Sequence, residues 1–296
     1  MREHEYVQGV PLSSEQRFID IDGLQLHCRI KDGGAPTLML LHGSFLSMRS
    51  WRLVFDTLAK RSMVIAIDRP AFGSTSRPSP VTGKLNPYSP EGQADLVPEL
   101  LDRLGIPDAV LVGNSTGGTI ALLAAMRHPD RVSGLVLADP MVYSGYATSE
   151  FPHWLYPVFR AAAPVGGVFA KLMIRMAFGK LHRTFLHNES LLEKELFEGY
   201  RSDFMQGNWG RAFWELLLGS HNLSLDRRLG KLRVPTLVIT GDHDRMVKPD
   251  ETIRLAQELP GAELHIFPHC GHLPQEEKPH LFIKEVNSFL DKHFST

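Results

Sequence analysis

The chain has little cysteine, two in 296 residues, and Cys28 and Cys270 lie too far apart to make the dense framework of a disulfide-stapled secreted domain. Neither belongs to a paired-cysteine pattern of the kind that holds zinc, so the spacing speaks against such a site. A reducing compartment follows, and a cytoplasmic location is expected. Long apolar runs are missing as well. The nearest to the roughly 18 residues that a membrane span needs is LYPVFRAAAPVGGVFAKLMIRMAFG, which Pro157, Arg160, Pro164, Lys171 and Arg175 interrupt. No membrane span is expected. The opening MREHEYVQGVPLSSEQRF carries charge without the apolar stretch of a secretory signal. An excess of one charge is also absent: the net charge of -1 gives no reason to expect nucleic acid or an anionic membrane as partner. A small molecule remains as the expected ligand, and the oligomeric state is left open.

What is present is an ordinary globular composition, 43% apolar and 22% charged, in a chain long enough for one large core. FIDIDG and LQLHCRI meet at Asp22-Gly23, a hairpin signal. TLMLLHG, SMVIAID, AVLVGN, VSGLVLAD and PTLVITGD are continuous apolar runs of strand length, as strands buried on both faces should be. Helical patterns fall between them: MRSWRLVFDTLAKR with Trp51, Phe55 and Leu58 on one stripe, PEGQADLVPELLDRLG, Ser115 to about His128, KPDETIRLAQELP and KPHLFIKEVNSFLDKHF. The alternation predicts an α/β protein with a doubly wound, mostly parallel sheet covered by helices and an antiparallel start.

Residues 141–229 break the rhythm with helical patterns alone, and are expected to form a helical cap inserted into a core of residues 1–140 and 230–296. Within that segment Val168, Phe169, Leu172, Met173 and Met176 share one arc, with Lys171 and Arg175 on another, and internal packing is the expected role of the apolar arc.

The motif that carries chemistry is VLVGNSTGGTIAL, residues 110–122, where a strand pattern stops at a serine among glycines and resumes as a helix. A dinucleotide loop would need a glycine where Ser115 stands, and the only Gly-Lys pair in a plausible loop, Gly83-Lys84, is followed by leucine. Both nucleotide readings fail. Gly113 and Gly117 flank Ser115 at two residues' distance, which is what a serine nucleophile on a tight strand-to-helix turn requires. A serine hydroxyl needs a base held by an acid, expected downstream at strand ends with the histidine last. TLVIT runs into Gly241-Asp242-His243-Asp244, and AELHIFP into His269-Cys270-Gly271-His272. His272 is the candidate base, and Asp244, Asp242 and Asp139 are the candidate acids. The Asp-x-Asp lacks the glycine and glutamate of a calcium loop, so no metal is expected, and no cofactor.

These residues resemble those of the α/β-hydrolase fold superfamily, over nearly the whole chain. The likeness rests on Leu41-His42-Gly43, on Asp68-Arg69-Pro70-Ala71-Phe72-Gly73, on the elbow at residues 113–118, on Gly241 to Asp244, and on Cys270 to Pro279. The resemblance implies a capped serine hydrolase with Ser115, Asp244 and His272 as catalytic residues. Its oxyanion hole would use the backbone N–H groups of Thr116 and Ser44, with Phe45 as the alternative to Ser44. His42 is expected to be structural.

Such a set implies acyl transfer, with a carboxylic ester of a fairly apolar acyl group as the expected substrate and a pocket near Trp154, Met205, Trp209, Phe213 and Trp214. One alternative is carbon–carbon bond hydrolysis of ring-cleavage products, which the G-N-S-x-G-G elbow also resembles. Against it, those enzymes usually have tryptophan after the histidine and a glycine-rich oxyanion loop, where this chain has Leu273 and Ser44-Phe45-Leu46. Another alternative is a small-ligand receptor on the same scaffold.

Overall fold

In the computed structural model, residues 6–7, 10–11, 15–81, 86–143 and 153–294 are described. The short strands β1 (Tyr6–Val7) and β2 (Val10–Pro11) pair with each other. The main sheet contains β3 (Gln16–Ile21), β4 (Leu24–Lys31), β5 (Leu38–Leu41), β6 (Val64–Ile67), β7 (Ala109–Asn114), β8 (Val132–Ala138), β9 (Thr236–Gly241) and β10 (Glu263–Phe267). Its order is β10-β9-β8-β7-β5-β6-β4-β3, parallel from β10 through to β6 and antiparallel at β4 and β3. Asp22 and Gly23 turn the β3–β4 hairpin, both with positive φ.

The continuous apolar strands are explained by what covers them. Along β5, Leu38 and Leu40 enter one core and Met39 and Leu41 the other; along β7, Val110 and Val112 oppose Leu111. One face is covered by α2 (Pro90–Leu104), α3 (Thr116–Arg127) and α8 (Pro249–Glu258), through Leu100, Ile120 and Leu255. The other is covered by α1 (Phe55–Leu58) and α10 (Pro279–Phe294), through Phe55, Phe282 and Phe289, while α9 (Pro274–Glu277) precedes α10. A period of two in the strands therefore serves two separate cores. The pattern read as one helix from Met48 onward is instead a 3-10 turn, Met48–Trp51, followed by the four-residue α1, although Trp51, Phe55 and Leu58 are all buried as expected.

Between β8 and β9 the described residues contain helices and turns but no strand: α4 (Tyr156–Ala161), α5 (Ala163–Phe185), α6 (Lys194–Phe204) and α7 (Trp209–Gly219). Phe178, Phe204, Trp209 and Phe213 from these helices join Leu46, Phe72 and Tyr88 in a third apolar cluster. The packing of α5 corrects the expectation for its apolar arc. Val168, Phe169, Leu172, Met173 and Met176 are all at least half exposed, at 69%, 58%, 61%, 50% and 76%. The small residues face inward instead. A Cβ added at Gly210 of α7 would lie 2.4 Å from the Gly167 carbonyl oxygen of α5, so the two helices approach closely over glycines and Ala170 is buried. In this first half of α5 close backbone approach has placed the small residues inside and the larger apolar ones outside, whereas further along Phe178 and Phe185 are buried. Among the described residues no helix is long and apolar enough to cross a membrane.

Candidate active site

The residues singled out by sequence converge at the carboxyl ends of the parallel strands, where open α/β sheets form their crevices. Ser115 follows β7, Asp139 follows β8, Asp242 and Asp244 follow β9, and His272 follows β10. Ser115 has φ 54° and ψ -124°, a backbone conformation that non-glycine residues avoid. The turn is too tight for neighbours with side chains: a Cβ at Gly117 would lie 2.0 Å from the Leu41 carbonyl oxygen, and one at Gly113 would lie 2.6 Å from the Gly117 carbonyl carbon. Strain at the serine and close approach at both glycines are parts of one device.

Of the three aspartates weighed, Asp244 is the one that hydrogen-bonds His272, with Oδ2 to Nδ1 at 2.6 Å. Its other oxygen, Oδ1, accepts the backbone N–H groups of Met246 and Val247 at 2.6 and 3.1 Å. An ionised carboxylate only accepts, so Nδ1 carries the proton and Nε2 keeps its lone pair. Both side chains are buried. His272 is further fixed by its backbone N–H, which donates to the Phe185 carbonyl at 2.7 Å. Asp242 points elsewhere, bonding His243 Nδ1 at 2.5 Å and accepting the Cys270 N–H at 3.2 Å.

Asp139 is fully buried. Thr240 Oγ1 and the Gly241 N–H donate to its Oδ1 at 2.7 and 3.3 Å. Burial first, and then the charge of nearby Asp244, raise its pKa well above the usual carboxylate range, which favours the neutral acid.

Ser115 and His272 line one cavity of about 270 Å³, although among the described residues no hydrogen bond joins them directly. Catalytic hydrogen bonds often tighten only when substrate is present. Ser44, Phe45 and Thr116, the three candidates for the oxyanion hole, line the same cavity, as do Met141, Phe185, Phe213, Leu216, Leu217 and Met246. Of the pocket residues expected from sequence, Phe213 alone is in this lining. Trp154 is 74% exposed, whereas Met205, Trp209 and Trp214 pack in the third cluster beside it. A larger cleft of about 510 Å³, between the β3–β4 turn and α2, includes none of the candidate residues.

Several supporting residues lay outside the sequence reading. Asn114 Nδ2 donates to the carbonyls of Ala138 and His272 at 3.1 and 3.0 Å, tying the serine's strand to the histidine's loop. Arg69 is buried; its Nη1 donates to the His42 carbonyl at 2.7 Å and to Thr116 Oγ1 at 2.9 Å, and Thr116 Oγ1 lies 3.0 Å from Ser44 Oγ. Asn114 and Arg69 both belong to motifs quoted from the sequence, but their partners are set by chain crossings that a sequence does not display. His42 has Nδ1 2.7 Å from the Gly43 carbonyl, and its Nε2 accepts the Arg69 N–H at 3.0 Å. Burial, then Arg69, push its pKa down to about 4, so the ring is neutral and its two bonds hold the loop. This is the structural role expected of it. Cys28 and Cys270 are both buried and free, and burial raises both thiols.

Comparison with known proteins agrees with this fold. An uncharacterized hydrolase, YugF, of Bacillus subtilis is 29% identical over 93% of this chain and 97% of its own. The 2-hydroxymuconate semialdehyde hydrolase of a Pseudomonas species is 30% identical over 95% of this chain and 96% of its own. Among solved structures, a serine hydrolase from the hydrocarbon-degrading bacterium Cycloclasticus zankles aligns with a TM-score of 0.76 and 25% identity, covering 95% of this chain and 99% of that one. The name of the second of these stands nearer to the ring-cleavage alternative than to the ester reading. The family model for the alpha/beta hydrolase fold matches residues 36–279, and with an eight-stranded, mostly parallel sheet wrapped by helices, the chain belongs to the α/β-hydrolase fold family.

Proposed function

We propose that this hydrolase acts through Ser115 as nucleophile, His272 as base and Asp244 as the acid that orients it, on neutral carboxylic esters with an apolar acyl group. In this reading His272 Nε2 takes the Ser115 proton as Oγ attacks the carbonyl carbon, and Asp244 stabilises the imidazolium without taking its proton. The developing oxyanion is met by the backbone N–H of Thr116, at the start of α3, and by that of Ser44 or Phe45. Collapse expels the alcohol, protonated by His272, and leaves an acyl-enzyme. Water activated by the same imidazole then releases the acid. We assign residues 141–229, of which 144–152 lie outside the described residues, as a cap over the core formed by residues 1–140 and 230–296, whose residues 1–5, 8–9, 12–14, 82–85 and 295–296 also lie outside them. Two buried, unpaired thiols are in keeping with a reducing, cytoplasmic setting.

The observation that carries the ester reading is the cavity lining. Among the described residues that wall it there is no arginine or lysine, and Phe45, Met141, Phe185, Phe213, Leu216, Leu217 and Met246 supply most of its surface. A carboxylate placed there would lose hydration without an ionic partner. The second reading, carbon–carbon hydrolysis of a ring-cleavage product, is supported by the relatives, one of them named for 2-hydroxymuconate semialdehyde. Two departures weigh on the other side: Leu273 after the histidine, and Ser44-Phe45-Leu46 in the oxyanion loop.

The test begins with a fluorophosphonate and intact mass on wild type beside Ser115→Ala. One adduct on the wild type and none on the variant is expected. The same pair is then assayed with p-nitrophenyl esters of two to twelve carbons and with a 2-hydroxy-6-oxo-dienoate. Preference for esters of medium chain supports the first reading, and preference for the dienoate replaces it with the second. A folded wild type that takes no adduct and turns over neither substrate would remove the hydrolase mechanism, leaving a receptor on this scaffold.

A further inference from the structure

Outside the candidate active site, the structure brings together three histidines far apart in sequence. His187 comes just after α5, His243 sits on the loop after β9 next to Asp244, and His269 sits on the loop after β10, three residues before His272. One ring nitrogen from each lies within 4.8 Å of the others. The rings are 4.2 Å apart between His187 and His243, 5.8 Å between His243 and His269, and 6.0 Å between His187 and His269, centroid to centroid. We propose that His187, His243 and His269 form a binding site for a divalent transition metal of the Zn²⁺ class, fastening the end of α5 to the two loops that carry Asp244 and His272.

The backbones of the cluster are already fixed. Glu277 Oε2 accepts the N–H groups of His187 and Asn188 at 2.9 and 3.1 Å, and its Oε1 accepts the Gly271 N–H at 2.6 Å. The His243 N–H donates to the Cys270 carbonyl at 2.9 Å. His269 is held at φ 50°, a left-handed backbone conformation that costs energy for a non-glycine residue. What stays adjustable is the ring torsions. Tetrahedral Zn²⁺ with bonds of about 2.0–2.1 Å puts its nitrogen ligands roughly 3.4 Å apart. From separations within 4.8 Å, closure needs ring movements of about an ångström.

The chemistry of the donors selects the ion. Three imidazoles suit Zn²⁺, Cu²⁺, Ni²⁺ or Co²⁺ and do not suit Mg²⁺ or Ca²⁺, which take oxygen. His243 has the outer partner expected of a metal ligand: Asp242 Oδ1, 2.5 Å from Nδ1, accepts the Nδ1–H hydrogen bond and leaves Nε2 with its lone pair. His187 Nδ1 is buried and has no hydrogen-bond partner, an unsatisfied polar atom within the cluster. His243 and His269 are exposed, so an ion can enter from solvent, and three protein ligands leave a fourth position for water.

The test uses the full chain without an affinity tag of histidines, stripped with EDTA and dialysed. Zn²⁺ is titrated by calorimetry, and Co²⁺ by visible absorption, which reports coordination geometry. Wild type, His187→Gln and His269→Asn are compared; asparagine tolerates the backbone at position 269. One equivalent of Zn²⁺ per chain is expected, with four-coordinate Co²⁺ absorption and a rise in Tm of roughly 5 °C at a hundredfold excess over Kd. Each variant should lose at least tenfold in affinity and most of the Tm rise. Its metal-free Tm and its fluorophosphonate labelling should match wild type, which separates loss of the site from loss of the fold. No saturable binding to folded wild type overturns the proposal, as does binding that both variants retain, which would place the metal elsewhere. The outcome is independent of which bond the enzyme cleaves.

Discussion

The side chain of Asn114 donates to the carbonyl of His272 at 3.0 Å, so the residue before the candidate nucleophile anchors the loop of the candidate base. The same amide donates to the Ala138 carbonyl at 3.1 Å, which also receives the Ser115 N–H at 2.9 Å. One buried amide thus ties the elbow to both neighbouring chain segments. Asn114→Ala leaves the His272 carbonyl without this donor. We expect a stability loss of about 1–3 kcal/mol and a fall in kcat of about tenfold or more, with KM changed little. Chemical denaturation and steady-state kinetics on the best ester check this; a variant with unchanged kcat would remove the anchoring role.

The aspartates on the loop after β9 differ by their partners. Asp244 bonds His272 Nδ1 at 2.6 Å, whereas Asp242 bonds His243. Asp244→Asn offers the imidazole an amide that favours the wrong tautomer, and kcat should fall by about 10⁴-fold while the fold persists. Asp242→Asn should stay within a few fold of wild type. A comparable loss in Asp242→Asn, or a small one in Asp244→Asn, would show that the acid has been misassigned.

Asp139 gives a pH dependence whose sign follows from its burial. Its folded-state pKa lies well above the unfolded one, because of desolvation and then Asp244. The folded state therefore holds a proton that the unfolded state releases more readily. Its contribution is fully present below the ordinary carboxylate range, about pH 4. It is lost as pH rises toward the raised value. Urea midpoints taken across this rise should decline in wild type more than in Asp139→Asn, where nothing titrates and the amide can still donate toward Asp244. Parallel curves for the two proteins would show that Asp139 is ionised in the fold.

The same contrast between local and crossing information explains how far the sequence could be read. Strands buried on both faces were legible because β5, β7, β8 and β9 are mostly apolar and lack a polar residue at every second position. Ser115, Asp244 and His272 were legible because glycine punctuation and strand ends mark them locally. The exposed face of α5 was not. Apolar periodicity normally marks the buried side of a helix, and here the contact with α7 is made through Gly167, Gly210 and the flat ring of Trp214, against which a Cβ at Gly166 would lie 2.2 Å away. Nor could His187 be joined to His243 and His269, since no spacing in the sequence announces a cluster assembled from three loops.

Arg69 links two loops through a buried charge, and its replacement tests whether charge or shape is needed. Nε and Nη2 both donate to Gln93 Oε1, at 2.9 and 2.8 Å, while Nη1 reaches the His42 carbonyl and Thr116 Oγ1. The fork spans α2, the loop after β5 and the first residue of α3. Arg69→Met removes the desolvation cost of a buried cation but strands these neutral acceptors, and a buried acceptor left unsatisfied costs about 1–3 kcal/mol. Arg69→Lys keeps the charge, yet a single ammonium lacks the planar fork that serves Gln93 and Thr116 together. We therefore expect both variants to lose stability and both to lower kcat through displacement of Thr116. Tm and kcat measured on both variants decide the point. If lysine restored both quantities, positive charge alone would account for Arg69, and the fork would have no part in holding Thr116 at the elbow.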